Sequence, residues 1–124
     1  MRAEGDRVDL LHLSHEHVDG AAVVIRVSGE LDAATTPGLV QLVGDLVSLG
    51  HNRLVLDLGD LTFIDSTGIG AFVGARNRAR EAYGSLVLRA VPDRVAAVLA
   101  VVGLDGVFEV EALHRIDLVD LATR

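Results

Sequence analysis

Residues 65–70 read Asp65-Ser66-Thr67-Gly68-Ile69-Gly70 and follow the apolar run Leu54-Val55-Leu56-Asp57-Leu58 after a short connection. At the start of a helix, a serine hydroxyl lies beside backbone N–H groups without an intrahelical partner and at the positive end of the helix dipole. Such a position suits an anion, including a phosphate carried by Ser66 itself. It also suits a plain cap, in which Ser66 or Asp65 contributes about 1 kcal/mol to the helix. Capping alone leaves Gly68 and Gly70 unexplained, because each costs up to ~1 kcal/mol relative to alanine in a helix. Close approach of another chain or of a phosphate to the backbone would account for them. A second segment, Gly29-Glu30-Leu31-Asp32, leaves a strand and leads into a helix. In a parallel sheet that places Asp32 on the same carboxyl edge as Ser66. Asp32 thus reads either as part of one surface with Ser66 or as a turn carboxylate before Thr35-Thr36.

Other chemistries are weaker or absent. A serine after a strand and before a helix suggests a hydrolase nucleophile elbow, but that turn needs glycine two residues before the serine, and Ile64 stands there. His114, near the end with Asp117 and Asp120, gives no triad order to argue from. With no cysteine, thiolate catalysis, disulfides, zinc ribbons and iron–sulfur clusters are excluded. All eleven basic residues are arginine, so Schiff-base chemistry and a P-loop lysine are excluded too. His12, His15 and His17, with Glu16, invite a metal, but no second cluster at ligand spacing accompanies them. They read as a solvated hairpin end, and no metal or cofactor is expected. Arg76, Arg78 and Arg80 fan across a solvated helix face with Glu81 nearby. Asp57, inside an apolar strand, reads as a structural carboxylate satisfied by hydrogen bonds.

The elements that must position these groups follow from periodicity. Val8–Ser14 and Ala22–Ser28 read as strands joined around Asp19-Gly20, a dipeptide suited to a tight turn, and predict an antiparallel amino-terminal hairpin. Leu39, Leu42, Val43 and Leu46 recur at helical spacing between Pro37 and Gly50. Leu54–Leu58 reads as a buried strand, followed by a helix from about Ser66 to before Gly84 with Ile69, Phe72, Val73 and Ala79 on its buried side. Ser85–Ala90 is a further strand. Pro92-Asp93 opens a helix with the stripe Val95, Val98, Leu99 and Val102, Gly106–Val110 is a weaker strand, and a last helix is expected over about Ala112–Ala122. The order β-β-α-β-α-β-α-β-α predicts an α/β fold. Its sheet is small, mixed and mostly parallel, with an antiparallel N-terminal edge strand and about four packed helices.

The chain of 124 residues fits one domain, with a core over about 8–122. Half the residues are hydrophobic and 23% are charged, which is too apolar for global disorder. A formal charge of −7 argues against a nucleic-acid partner. The longest apolar run, Val95–Leu104, is about half the ~20 residues of a membrane span, and no secretory signal is apparent, so a cytoplasmic location is expected.

The pair GELD (29–32) and DSTGIG (65–70), set in this element order, resembles the STAS domain, specifically the bacterial anti-sigma-factor antagonists. The resemblance runs from about Val23 to the carboxyl end and is most specific at DSTGIG. It implies a STAS-like single domain over 1–124 that is a binding switch and not an enzyme. Its partners would be an anti-sigma factor with serine kinase activity and a serine phosphatase. Capture of the anti-sigma factor frees the sigma factor, and phosphorylation of the motif serine ends the capture. Carried over by position, Ser66 is the phosphoacceptor, and Asp32, Asp65, Thr67, Gly68 and Gly70 line the partner surface. A STAS subunit of a transporter or of a signalling scaffold would share these motifs.

Overall fold

The computed structural model describes residues 10–18 and 22–111. In chain order the elements are β1 (Leu11–Val18), β2 (Ala22–Leu31), α1 (Thr36–Ser48), β3 (Arg53–Asp57), β4 (Leu61–Ile64), α2 (Ser66–Glu81), β5 (Ser85–Arg89), α3 (Asp93–Val101) and β6 (Glu109–Glu111). The sheet has six strands in the order β1-β2-β3-β5-β6, with β4 paired to β2 off that path. Only β1 runs antiparallel; β3 and β4 both pair parallel to β2, and β5 and β6 continue parallel. This is the mixed α/β sheet expected from the sequence, with three helices among the described residues. The helix expected over 112–122 and the Asp19-Gly20 turn lie outside them.

One core occupies one face of the sheet. Val23, Ile25 and Val27 of β2 alternate inward, as the two-residue strand period requires, and join Leu54 and Leu56 of β3 and Leu86 and Leu88 of β5. Leu39, Val43 and Leu46 of α1, Ile69, Phe72, Ala75 and Ala79 of α2, and Val95 and Leu99 of α3 close that cluster. No helix of the described residues is long and apolar enough to cross a membrane.

Three differences from the sequence reading bear on function. Leu61–Ile64, expected as a connection, is the strand β4, with a four-residue pattern of buried, exposed, exposed, buried that has no alternation to detect. Strand β1 extends to Val18, so His15 and His17 belong to a strand and not to a hairpin end. The last strand is Glu109–Glu111, because Phe108 is drawn into the core just before it, packing edge-on against Phe72 at 6.5 Å.

Asp57 is a satisfied structural carboxylate. Register places Arg26, Asp57, Arg89 and Glu111 in one row across β2, β3, β5 and β6. Their charges alternate, with Arg89–Asp57 at 3.3 Å, Arg26–Asp57 at 3.8 Å and Arg89–Glu111 at 4.0 Å. Asp57 Oδ1 also accepts the Gly59 N–H at 3.0 Å.

Candidate functional site

Strand β4 brings the two sequence motifs together. It runs parallel to the far end of β2, with Glu30 opposite Phe63 and Leu31 opposite Ile64. Asp32 and Asp65 are each the next residue after that last rung, so they leave the sheet side by side, about one strand spacing of 4.8 Å apart. The Asp65 N–H donates to the Leu31 carbonyl at 3.3 Å and extends the pairing to the start of the site. A register shift between Gly29 and Glu30 accommodates Thr62. Gly29 sits at φ +100°, where a Cβ would overlap the Leu10 carbonyl, and its own N–H donates to Asp60 O at 3.0 Å. The positive φ and the close approach of the Leu10 carbonyl require glycine there.

Asp65, not Ser66, caps α2. Its Oδ1 accepts the Thr67 N–H at 2.9 Å and the Gly68 N–H at 3.2 Å. Two of the amides that could have cradled an anion are therefore occupied by a carboxylate. Ser66, the first residue of the helix, is exposed and stands outside that cap. The helix end thus presents an exposed hydroxyl beside a carboxylate, and not a nest built to hold an anion.

Asp32 orders the entry to α1. Its Oδ1 accepts the Ala34 N–H at 3.0 Å, the Thr35 N–H at 3.1 Å and the Thr35 hydroxyl at 3.2 Å. Its carbonyl accepts the Thr36 N–H at 2.8 Å. Both readings of Asp32 therefore meet in one residue, a turn-forming carboxylate that is half-buried at the edge shared with Ser66.

The two glycines of the motif separate. Gly68 is buried, and a Cβ there would come within 2.7 Å of Ile64 Cγ1 and 3.0 Å of the Leu31 carbonyl. It seats α2 on the ends of β2 and β4 instead of opening the backbone to a visitor. Gly70 is exposed with nothing within 4 Å of a Cβ, and it lines an open groove of about 450 Å³ between α1 and α2 with Val40, Val43, Ala71 and Gly74. Thr67 lines the neighbouring opening with Ala33, Pro37 and Val40. Thr36, buried with its hydroxyl unpartnered, borders both.

Two apolar residues in and beside the motif, Ile69 and Phe63, are the sequence's candidates for the centre of an interface. Phe63, two residues before the cap, is 46% exposed, whereas Ile69, the other apolar candidate, is 5% exposed and belongs to the core. Arg94 reaches the same edge from α3, its Nη1 donating to the Thr62 carbonyl at 2.6 Å. The only sequence signal for Phe63 is an aromatic residue close before the motif, in a strand too short to recognise.

Comparison with known proteins matches residues 14–119 to the family model described as Mlab, STAS domain. An anti-sigma-B factor antagonist of Listeria monocytogenes is 30% identical over 104 residues, 84% of this chain and 87% of that protein. Among solved structures, an anti-sigma factor antagonist from Mycobacterium paratuberculosis superposes with a TM-score of 0.72 at 28% identity, covering 82% of this chain and 86% of that one. The Bacillus cell fate determinant SpoIIAA in its phosphorylated form shares the fold, with a TM-score of 0.66 at 24% identity over 87% of this chain and 99% of that one.

Proposed function

This chain belongs to the STAS domain family, and from that membership we propose that it is an anti-sigma-factor antagonist, a binding protein and not an enzyme, switched by phosphate on Ser66. In its bare form it captures an anti-sigma factor that is also a serine kinase, and the sigma factor is released. The kinase then transfers a phosphoryl group to Ser66, capture ends, and a serine phosphatase restores the hydroxyl. All of this fits a protein that stays in the cytoplasm.

The observation that carries this reading is the exposed Ser66 hydroxyl beside the Asp65 cap, with Asp32 one strand spacing away. A phosphate there adds about −1.5 to −2 charge next to one carboxylate and near a second. The Asp65 side chain already holds the Thr67 and Gly68 amides, so the new charge finds little compensation within the chain and is presented outward. A partner surface fitted to a neutral hydroxyl is then opposed, and a loss of about 2.8 kcal/mol already weakens binding a hundredfold. Phe63, flanking the acidic pair, supplies an apolar anchor of the kind that dominates interfaces. Thr67 and Gly70 extend the surface along the α1–α2 groove. The phosphorylated form of SpoIIAA, a protein of the same fold, agrees with this reading.

The test is incubation with ATP and candidate anti-sigma kinases from its own genome, read by intact-mass and peptide mass spectrometry and by co-elution. One phosphate on Ser66 that releases the kinase is expected, with Ser66→Ala still capturing but never switched off. Full phosphorylation of Ser66→Ala at one site would overturn the assignment. Co-purification with a membrane ATPase instead would establish a transporter subunit of the same fold.

A further inference from the structure

Strand β1 presents an edge that the switch leaves unused. Among the described residues it closes the sheet on its side of β2, and nothing pairs with its outer edge. Which groups point outward follows from the ladder. The Glu30 N–H donates to the Leu10 carbonyl at 2.7 Å, while Gly29 turns its N–H to Asp60 and its carbonyl to the Thr62 hydroxyl on the other side of β2. Bonded and non-bonded pairs alternate along an antiparallel ladder, so His12, Ser14, Glu16 and Val18 bond to β2. Leu11, Leu13, His15 and His17 therefore aim both backbone groups away from the sheet. Such an edge is a template for another strand, and proteins guard it by keeping it short or by placing lysine, proline or a bulge on it. At the other end of the strand order, β6 is three residues long. β1 is eight residues long with an unbroken register, has neither lysine nor proline, and is exposed from Ser14 to Val18.

We propose that β1 pairs antiparallel with β1 of a second copy of this chain, about a two-fold axis at Ser14, to give one continuous sheet. The strand is complementary to itself in that register. Ser14 faces Ser14 of the second copy, and His12 of each copy faces Glu16 of the other. The outward residues pair Leu13 with His15 and Leu11 with His17. These last pairs each occur twice by symmetry and exchange two hydrogen bonds apiece, about eight in all. His12 and Glu16 meet at non-bonded pairs, where side chains come closest, and there an imidazole N–H donates to a carboxylate. Centring the axis on Leu13 or on His15 leaves about six backbone bonds and separates His12 from Glu16. This match of the strand with its own reverse is what selects a second copy over an unrelated strand. Because β4 pairs with the other side of β2, the Asp65 cap and Ser66 lie across β2 from the joined edge. The proposal is independent of the switch.

Sedimentation of the untagged full-length protein over a concentration series, together with cysteine cross-linking, tests it. A reversible dimer is expected. His15→Pro removes an outward N–H and leaves the ladder with β2 intact, as proline on a strand edge does, and is expected to weaken the dimer about tenfold or more with an unchanged circular dichroism spectrum. Because the chain has no cysteine, Ser14→Cys supplies a single thiol. Across the axis its Cα lies about 4.5 Å from that of its copy, within disulfide reach, so mild oxidation is expected to link the dimer. His12→Cys sets its two Cα atoms about 14 Å apart and is expected to stay unlinked. A monomer throughout the series, a dimer that His15→Pro leaves unchanged, or linkage as ready at His12→Cys as at Ser14→Cys would each overturn the pairing.

Discussion

Asp65 and Ser66 divide between them what a single capping serine would have combined. The carboxylate satisfies the helix end, and the hydroxyl is left outward as the group that chemistry can reach. The motif glycines divide in the same way, and the division is measurable. Gly68→Ala forces a methyl against Ile64 and the Leu31 carbonyl, and is expected to cost about 1–3 kcal/mol, typical of overpacking. Gly70→Ala meets open space in a helix interior and is expected to stabilise by up to ~1 kcal/mol. Urea denaturation of the two variants separates them, and equal effects would show that Gly68 does not seat the helix as described. On the neighbouring surface, Phe63→Ala is expected to leave the denaturation midpoint nearly unchanged while weakening capture of the anti-sigma factor by about tenfold or more. A matching fall in stability would instead place Phe63 among the packing residues.

Among the elements, β4 has the largest consequence for its size. Four residues long, it lets one strand, β2, serve two parallel neighbours in succession, β3 along Val23–Arg26 and β4 along Gly29–Leu31. That division of β2 lays the ends of the two motifs side by side. The opposite sheet face is held in register by the alternating row Arg26, Asp57, Arg89 and Glu111. Asp57 and Arg89 are mostly buried there, with side chains 17% and 18% exposed, while Arg26 is half in solvent and adds little. Asp57→Ala leaves the Arg89 guanidinium without its nearest partner and is expected to cost about 1–3 kcal/mol. Arg26→Ala is expected to cost under about 1 kcal/mol. Thermal unfolding of both variants checks the ranking, and the reverse order would mean that the row is held from its exposed end.

For the molecule as a whole, the proposed switch acts through surface charge and not through refolding. Ser66 is outside the cap and outside the core, so a charge there disturbs no buried contact. Ser66→Asp is therefore expected to unfold within about 0.5 kcal/mol of the unaltered protein, as surface substitutions do, while capture of the anti-sigma factor falls by about a hundredfold. A large loss of stability together with the loss of capture would show that the switch works by loosening α2.

The sequence by itself determined the α/β class, the antiparallel first strand and the helices α1, α2 and α3. Those features are written in local periodicity and in punctuation such as Pro37, Gly50 and Pro92, which neighbouring residues suffice to express. It also determined that Ser66 stands at a helix start and that Asp32 shares its edge, because a parallel sheet sends all its strand ends one way. Only the tertiary structure decided which groups touch. A strand of four residues has too little pattern to announce itself, and a carboxylate and a hydroxyl at adjacent positions compete for the same cap until the backbone direction selects Asp65. A histidine at position 51 has no relation to the one at 17 until the fold brings the α1–β3 connection against β1, where their rings meet edge to face. Pairing between residues distant along the chain is set by the packing of the whole core, and no local stretch of sequence carries it.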